Sequence, residues 1–428
     1  MNQDVIQKVY KRFSPSRPLE AEDPLYVDCD GERHTLGFRE ILADEIRKSH
    51  APTCQLLSGG RGCGKTTDLF RLRHQLVTGE PAYFVVYCAS DEFIALSDVE
   101  YVDVLLAIFQ QLTRDADKLG IRPDTSKLAG LLKDIEVYLT RSRRHSGFEG
   151  NPGIAGLELD LKHNPQNRHL VRQHLRKRGE QLLEAINETI RRVETVLRRQ
   201  EGYAGLVIIV DNLDRVYRQP AGNSERSSQD VLFVDGARYL RNLGPHVLYI
   251  IPPALLCSAS GSSIPDLYHT QPQRIPMIPV STRWDGTDSA GLEILEKVIA
   301  RRLRQAGATL SEAFDSATSR QRLCAVSGGQ FDRLMSSMQR SMNYEAALPI
   351  TRKSLEQVVR DGRDEVTRAV RSTGQRNRLR ELAATKEIGT TDDDLLFLDS
   401  GLVLEYRDES GPWFDVNPLV RESLGIRQ

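Results

Sequence analysis

Four of the six residues from Gly59 to Gly64 are glycine, and Lys65, Thr66 and Thr67 follow directly. Few backbones need such a run. A loop that wraps an anion must turn its N–H groups inward, which calls for positive φ and for a close approach that a Cβ would obstruct. The spacing Gly59-x4-Gly64-Lys65-Thr66 is that of a phosphate-binding loop. In that reading the residues Gly59, Gly60, Arg61, Gly62, Cys63, Gly64, Thr66 and Thr67 form the cradle and Lys65 meets the β and γ phosphates of ATP. The Thr66 hydroxyl is placed to ligate Mg2+. The flanks fit a strand–loop–helix unit: Cys54 to Leu57 is a short apolar run, and Leu69, Leu72 and Leu76 recur at helical spacing. The start of that helix adds its partial positive charge to the phosphate site.

A loop of this kind needs a second element, an apolar strand that ends in an acid and steadies the metal. The stretch GLVIIVDNLDR supplies one. Leu206 to Val210 is a continuous apolar run suited to a parallel sheet covered on both faces, and Asp211 falls at its carboxyl end, where such sheets bind ligands. The next residue is Asn212, where many ATPases of this kind carry the glutamate that activates water. Asp214 is the nearest alternative carboxylate for that role, and it serves equally well as a helix cap or as an ion-pair partner of Arg215 or Arg218.

Further strands are expected at Tyr83 to Cys88, Val247 to Ile251 and Ile275 to Val280, which makes five separated by helices. The fold class is therefore α/β, an open and mainly parallel five-stranded sheet. Between about 114 and 200 lies a charged helical insertion. Its apolar stripe is Leu175, Leu182, Ile186, Ile190, Val193 and Leu197, and Arg172, Arg176, Arg178, Arg191, Arg192, Arg198 and Arg199 lie on other faces as a solvated surface balanced by glutamates. The turn-rich HSGFEGNPG in its centre marks a flexible connection. From Gly291 the pattern is helical, a lid carrying Arg301, Arg302 and Arg333. The last segment reads as a helix, two strands (LLFLDSGLVLEY and PWFDV) around a turn at Asp408 to Gly411, and a final helix, the layout of a winged-helix unit. The expected divisions are 1–50 as a leading segment, 51–285 as the nucleotide-binding core, 286–370 as the lid and 371–428 as the winged unit. The 428 residues carry a formal net charge of -1, so no global field demands a nucleic acid or a membrane. No run of about 18 to 20 apolar residues and no signal-like start is present, which places the chain in the cytoplasm as an expectation. Its six cysteines are scattered, with no zinc or disulfide spacing.

The loop at Gly59 to Thr66, the strand VIIVDNLDR, the lid with SGGQFDRL and the C-terminal hairpin together resemble P-loop ATPases of the AAA+ and STAND groupings. These include origin-recognition-type ATPases and the nucleotide-switch proteins of bacterial conflict and antiviral defence. The resemblance implies that the loop strand is central and beside the acid-bearing strand, and that lid and winged helix close over ATP. It also implies that Asp211 and Asp214 match the NACHT-type acidic variant and that Arg333 senses the γ phosphate. Two departures stand out. The strand Val247 to Ile251 ends in Pro252-Pro253 without the usual polar sensor, which implies slow hydrolysis, and no effector segment is present. The first expectation is thus a regulatory ATPase, a homo-oligomer acting through a separate effector protein, with Arg238, Arg241 and Arg274 as candidates for a contact in trans. The second is a DNA-binding ATPase, disfavoured by Glu405, Asp408, Glu409 and Asp415 on the hairpin and by Asp392-Asp393-Asp394 before it; the basic arm Arg371 to Arg380 and the arginine-rich insertion keep it open.

Overall fold

The computed structural model describes residues 3–15, 17–35, 37–133, 135, 162–220, 226–284, 286–345 and 348–426, so the HSGFEGNPG connection lies outside the described residues. The chain forms two compact units. One comprises Glu40–Ser58 and Leu72–Gln273; the other comprises Met1–Arg39, Gly59–Arg71 and Arg274–Gln428. Among the described residues no helix is long and apolar enough to cross a membrane.

The first unit is an α/β layer structure. Its strands are β1 (Cys54–Gly59), β2 (Tyr83–Ala89), β3 (Gly205–Asp211) and β4 (His246–Ile251), and with β5 (Gln273–Ile275) the sheet order is β2-β3-β4-β1-β5. The pairs β2–β3, β3–β4 and β4–β1 all run parallel. Every residue of β3 is buried, as its unbroken apolar run requires of a strand covered on both faces. The loop strand is indeed interior to the sheet, but β4 separates it from the acid-bearing β3, which corrects the expectation that the two are neighbours. Flanking helices are α1 (Phe38–Lys48), α2 (Lys65–Thr78), α3 (Tyr101–Lys118), α4 (Pro165–Arg176) and α5 (Gly179–Gln200). The predicted stripe on α4 and α5 packs into the core: Leu175, Leu182, Ile186, Ile190, Val193 and Leu197 are all buried. Each contributes roughly 1.5–3 kcal/mol of transfer free energy.

Several of the insertion's arginines are paired on its surface, for example Arg192 with Glu188 and Arg198 with Glu194 one turn apart. Arg172 departs from that reading. It is buried, donating to Asp103 Oδ2 at 2.8 Å and to Asp98 Oδ1 at 2.7 Å. A guanidinium is retained inside because two carboxylates at the start of α3 compensate its desolvation.

The second unit carries α6 (Ser289–Gln305), α7 (Ala317–Ser327), α8 (Phe331–Glu345), α9 (Arg352–Ala369), α10 (Thr373–Thr385), α11 (Asp392–Ser400) and α12 (Pro418–Ser423), with the antiparallel hairpin β6 (Val403–Asp408) and β7 (Gly411–Val416). Two elements differ from expectation. The predicted strand at Ile275 to Val280 is shifted back and shortened to β5, because Pro276 and Pro279 have no N–H to give to a ladder; Met277 N–H instead donates to Glu405 O of β6 at 2.9 Å. The apolar LLFLDS run forms helix α11. Thr391 caps it by accepting from Asp394 N–H at 3.2 Å, three aspartates occupy its first turn, and Gly401 ends it in the left-handed region.

Candidate functional site: a phosphate loop and an acidic strand end

The glycine loop has the conformation its composition calls for. Gly62 and Gly64 hold φ values of +84° and +100°, which L side chains rarely adopt. Three successive carbonyls are tied down on one side. Arg61 O accepts from Gln330 Nε2 at 2.9 Å, Gly62 O accepts from Phe331 N–H at 2.8 Å, and Cys63 O accepts from the Arg33 guanidinium. Because a trans peptide points its N–H opposite to its C=O, tying the carbonyls of Arg61 and Cys63 turns the N–H groups of Gly62 and Gly64 the other way. That is the nest an anion requires.

Lys65 opens α2 with its side chain folded back over the loop. Its ammonium donates to Gly59 O at 2.8 Å and Gly60 O at 2.9 Å. Thr66 is the second residue of α2, so its hydroxyl lies in the first turn. Thr67 does not face the cradle alone: its Oγ1 accepts from Leu19 N–H at 3.0 Å. Cys63 is buried, and burial pushes its thiol pKa up, so it packs as an apolar residue.

Beneath the loop is an ion cluster that the sequence did not reveal. Asp68, one turn into α2, meets Arg39 at 2.8 Å and Arg33 at 3.4 Å, and all three are buried. Burial pushes the Asp68 carboxyl up while the two guanidiniums pull it down; both arginines are held above their usual value because Asp68 and its neighbours outweigh the burial that would lower them. Arg33 also lies over the Phe331 ring, 5.4 Å from its centre.

Arg333, the predicted γ-phosphate sensor, is placed differently from its neighbours. Its Nε donates to Gln330 Oε1 at 3.2 Å, and burial lowers its pKa. The residues that meet the loop are the three before it. Gln330 and Phe331 bond the carbonyls, and the Asp332 carboxylate lies so close to Gly62 that a Cβ there would be 2.0 Å from Oδ1. Within SGGQFDRL it is thus Gln330, Phe331 and Asp332 that meet the loop.

The acidic strand end belongs to the first unit. Asp211 is 1% exposed. Its Oδ2 accepts from Tyr87 O–H at 2.5 Å, its Oδ1 from Asn212 N–H at 2.7 Å, and its carbonyl from Ser90 Oγ at 2.6 Å. β2 supplies Tyr87, and Ser90 follows directly after it, because Ala89 pairs in register with Asp211. Burial raises the Tyr87 pKa, with Asp211 adding to it, so the phenol stays a donor. Asn212 has φ +71°, and its amide Nδ2 donates to Asp91 Oδ1 at 2.7 Å. Arg215 pairs with Asp91 at 3.4 Å, and Asp214 lies in the 3-10 turn Leu213–Arg215.

Register relates this acid to the strand that feeds the loop. Ser58 is level with Ile251, and Val210 with Tyr249, so the ends of β1 and β3 emerge on the same edge of the sheet with only β4 between them. Two strand spacings put those ends about 10 Å apart. The connections leaving β1 and β4 run toward opposite edges of the sheet, the topology that opens a crevice at the strands' carboxyl ends.

Among the described residues no group of three His, Cys, Asp or Glu side chains could cage a metal ion. Mg2+ in a phosphate site does not require one, since it takes most of its ligands from phosphate and water and one or two from protein oxygens. The Asp211 carboxylate supplies hard oxygen donors of the kind Mg2+ takes from protein, at the carboxyl end of a parallel strand. Of the three arginines proposed to act in trans, Arg238 pairs with Glu180, Arg241 donates to Leu267 O at 2.9 Å, and Arg274 pairs with Glu405 at 3.0 Å.

Strand, glycine loop, helix and acid-ended strand on a five-stranded sheet make up an α/β fold. No protein-family model and no curated protein matches the chain. Among solved structures it is similar to the Walker-type ATPase PABY2304 of Pyrococcus abyssi, with 12% identity, TM-score 0.48, and 97% of this chain and 100% of that chain covered. It is also similar to Cdc6p from Pyrobaculum aerophilum (11% identity, TM-score 0.43, 97% and 96% covered) and to the Aeropyrum pernix ORC1 protein in complex with DNA (12%, 0.42, 97% and 96%).

Proposed function

We propose that the chain is a Mg2+-dependent ATP-binding switch that hydrolyses ATP slowly. The observation that carries this reading is the loop whose tied carbonyls turn its N–H groups toward an anion beside Lys65. The chemistry that bound Mg2+ would supply is to offset the charge of the phosphate oxygens. Lys65 would exchange its two loop carbonyls for phosphate oxygens, Thr66 and Asp211 would hold the metal, and Tyr87 and the Asn212 N–H would keep the Asp211 carboxylate oriented. The absence of a polar residue at the tip of β4 supports slow turnover. Gln330 and Phe331 bond the loop directly, which gives nucleotide occupancy a route to the lid helices. Assembly with further copies or with an effector protein would then read out the nucleotide state. Asp211→Asn is expected to lower Mg2+-dependent phosphate release by about 10²-fold with ATP binding largely retained. A rate equal to wild type removes Asp211 from the metal site. The switch itself is tested by sedimentation with ATP, ADP and no nucleotide, and identical profiles would contradict it.

A second reading, an ATPase that binds duplex DNA, gains from one finding. The hairpin acids that argued against it are largely neutralised within the fold: Glu405 pairs with Arg274, Asp408 with Arg283, and Asp415 with Lys386 and Arg421, while Asp394 of α11 pairs with Arg378. Arg368, Arg371, Arg376 and Arg380 are exposed beside them. A salt titration of duplex binding separates the readings. DNA recognition by four arginines requires log affinity to fall with log salt at a slope of about −3 to −4, whereas the switch alone predicts little binding at any salt.

A further inference from the structure

We propose that Asp91, not Asp214, is the carboxylate that activates the attacking water. This rests on the ATPase reading and names a residue that the motif spacing does not reach. The usual position, directly after the metal-binding aspartate, holds Asn212, an amide that cannot accept a proton at neutral pH. The structure shows what the amide does instead. Asn212 is held in the left-handed region, and its Nδ2 donates to Asp91 Oδ1 at 2.7 Å. The register of β2 on β3 makes this meeting inevitable. Ala89 lies opposite Asp211, so two residues further Asp91 leaves the same sheet edge beside the acid. Ser90 anchors the turn by donating to the Asp211 carbonyl at 2.6 Å.

Carboxylate and amide have thus exchanged strands, with the acid at the end of β2 and the amide at the end of β3. Asp91 has what a base needs. Its side chain is 39% exposed, so water reaches it, and Arg215 lies 3.4 Å away without sealing it off. Asp214 has one carboxylate oxygen fully buried and faces away from solvent at that atom. In the step proposed, Asp91 takes one proton from water as the water oxygen bonds to the γ phosphorus. The bond from that phosphorus to the bridging oxygen breaks, and its electron pair leaves with ADP.

Asp91→Asn is the decisive variant, since an asparagine oxygen still accepts from Asn212 Nδ2 and only the charge and basicity are lost. Expected are a fall in kcat of about 10²-fold, fluorescent-ATP affinity within about twofold of wild type, and an unchanged melting midpoint. Asp214→Asn is expected to hydrolyse within about threefold of wild type. Adding Asn212→Glu to the Asp91→Asn chain returns a carboxylate to the end of β3 and is expected to recover at least about tenfold. Wild-type turnover in Asp91→Asn overturns the proposal, as does a parallel loss of ATP binding, which would make Asp91 a structural residue. Wild type that binds ATP without hydrolysing it overturns the base assignment and leaves the binding reading standing; wild type that binds no ATP overturns both.

Discussion

Lys65→Ala is expected to weaken MgATP binding by at least about 100-fold, to the point where calorimetry at micromolar protein detects no heat. Two charge-assisted hydrogen bonds to phosphate are at stake, each contributing about 1.5–3 kcal/mol when the ligand is bound, and about 2.7 kcal/mol already corresponds to 100-fold. Without ligand the same ammonium is satisfied by Gly59 O and Gly60 O. Removing the side chain opens space in which water can bond those carbonyls, so the variant's melting midpoint is expected to move little. The combination is diagnostic. A structural lysine would give the reverse, a lowered midpoint with ATP affinity preserved, and that outcome would remove the loop from the nucleotide site.

The elements legible in the sequence are those whose signal is local. β3 declares itself by an apolar run with no polar interruption, and the stripe on α4 and α5 by helical spacing that ends in full burial. The failures have a common cause. LLFLDS has the composition of a strand, yet a threonine cap before it, three aspartates favoured by the helix dipole and a glycine that can turn left-handed after it decide for a helix. At Ile275 to Val280 the hydrophobicity was right, and two prolines withheld the hydrogen bonds a strand needs.

The site divides along the same line. Gly59 to Thr66 is one contiguous string with a fixed spacing, so the sequence displays it whole. Its supports are remote: Arg33 reaches Cys63 across 30 residues and Gln330 reaches Arg61 across 269. Tyr87 and Asp91 meet Asp211 and Asn212 only because β2 and β3 pair in parallel register. Hairpin acids counted as surface charge proved to be internal partners for Arg274, Lys386 and Arg421. Charge on a strand says nothing about which face bears it until the neighbouring elements are known.

Asp68 is where loop support and stability meet, and its removal is expected to be the most damaging single change in the second unit. Asp68→Ala leaves Arg33 and Arg39 buried, and breaking a buried pair by deleting one partner costs about 3–5 kcal/mol. Arg39 keeps Asp30 at 2.9 Å and an acceptor in Tyr26 Oη at 2.6 Å, so part of its charge remains compensated. Arg33 has no second carboxylate within ion-pair distance among the described residues. Its guanidinium is the donor to Cys63 O and lies over Phe331, so relaxation of Arg33 loosens one of the three ties that orient the loop. Loss of stability should therefore be accompanied by weaker ATP binding at temperatures well below the melting midpoint. Asp68→Asn, which keeps two acceptor lone pairs, is expected to lose less of both. Chemical denaturation read alongside ATP titration checks the coupling: a destabilised Asp68→Ala chain that binds ATP as wild type does would show that the ion cluster holds the fold without shaping the loop.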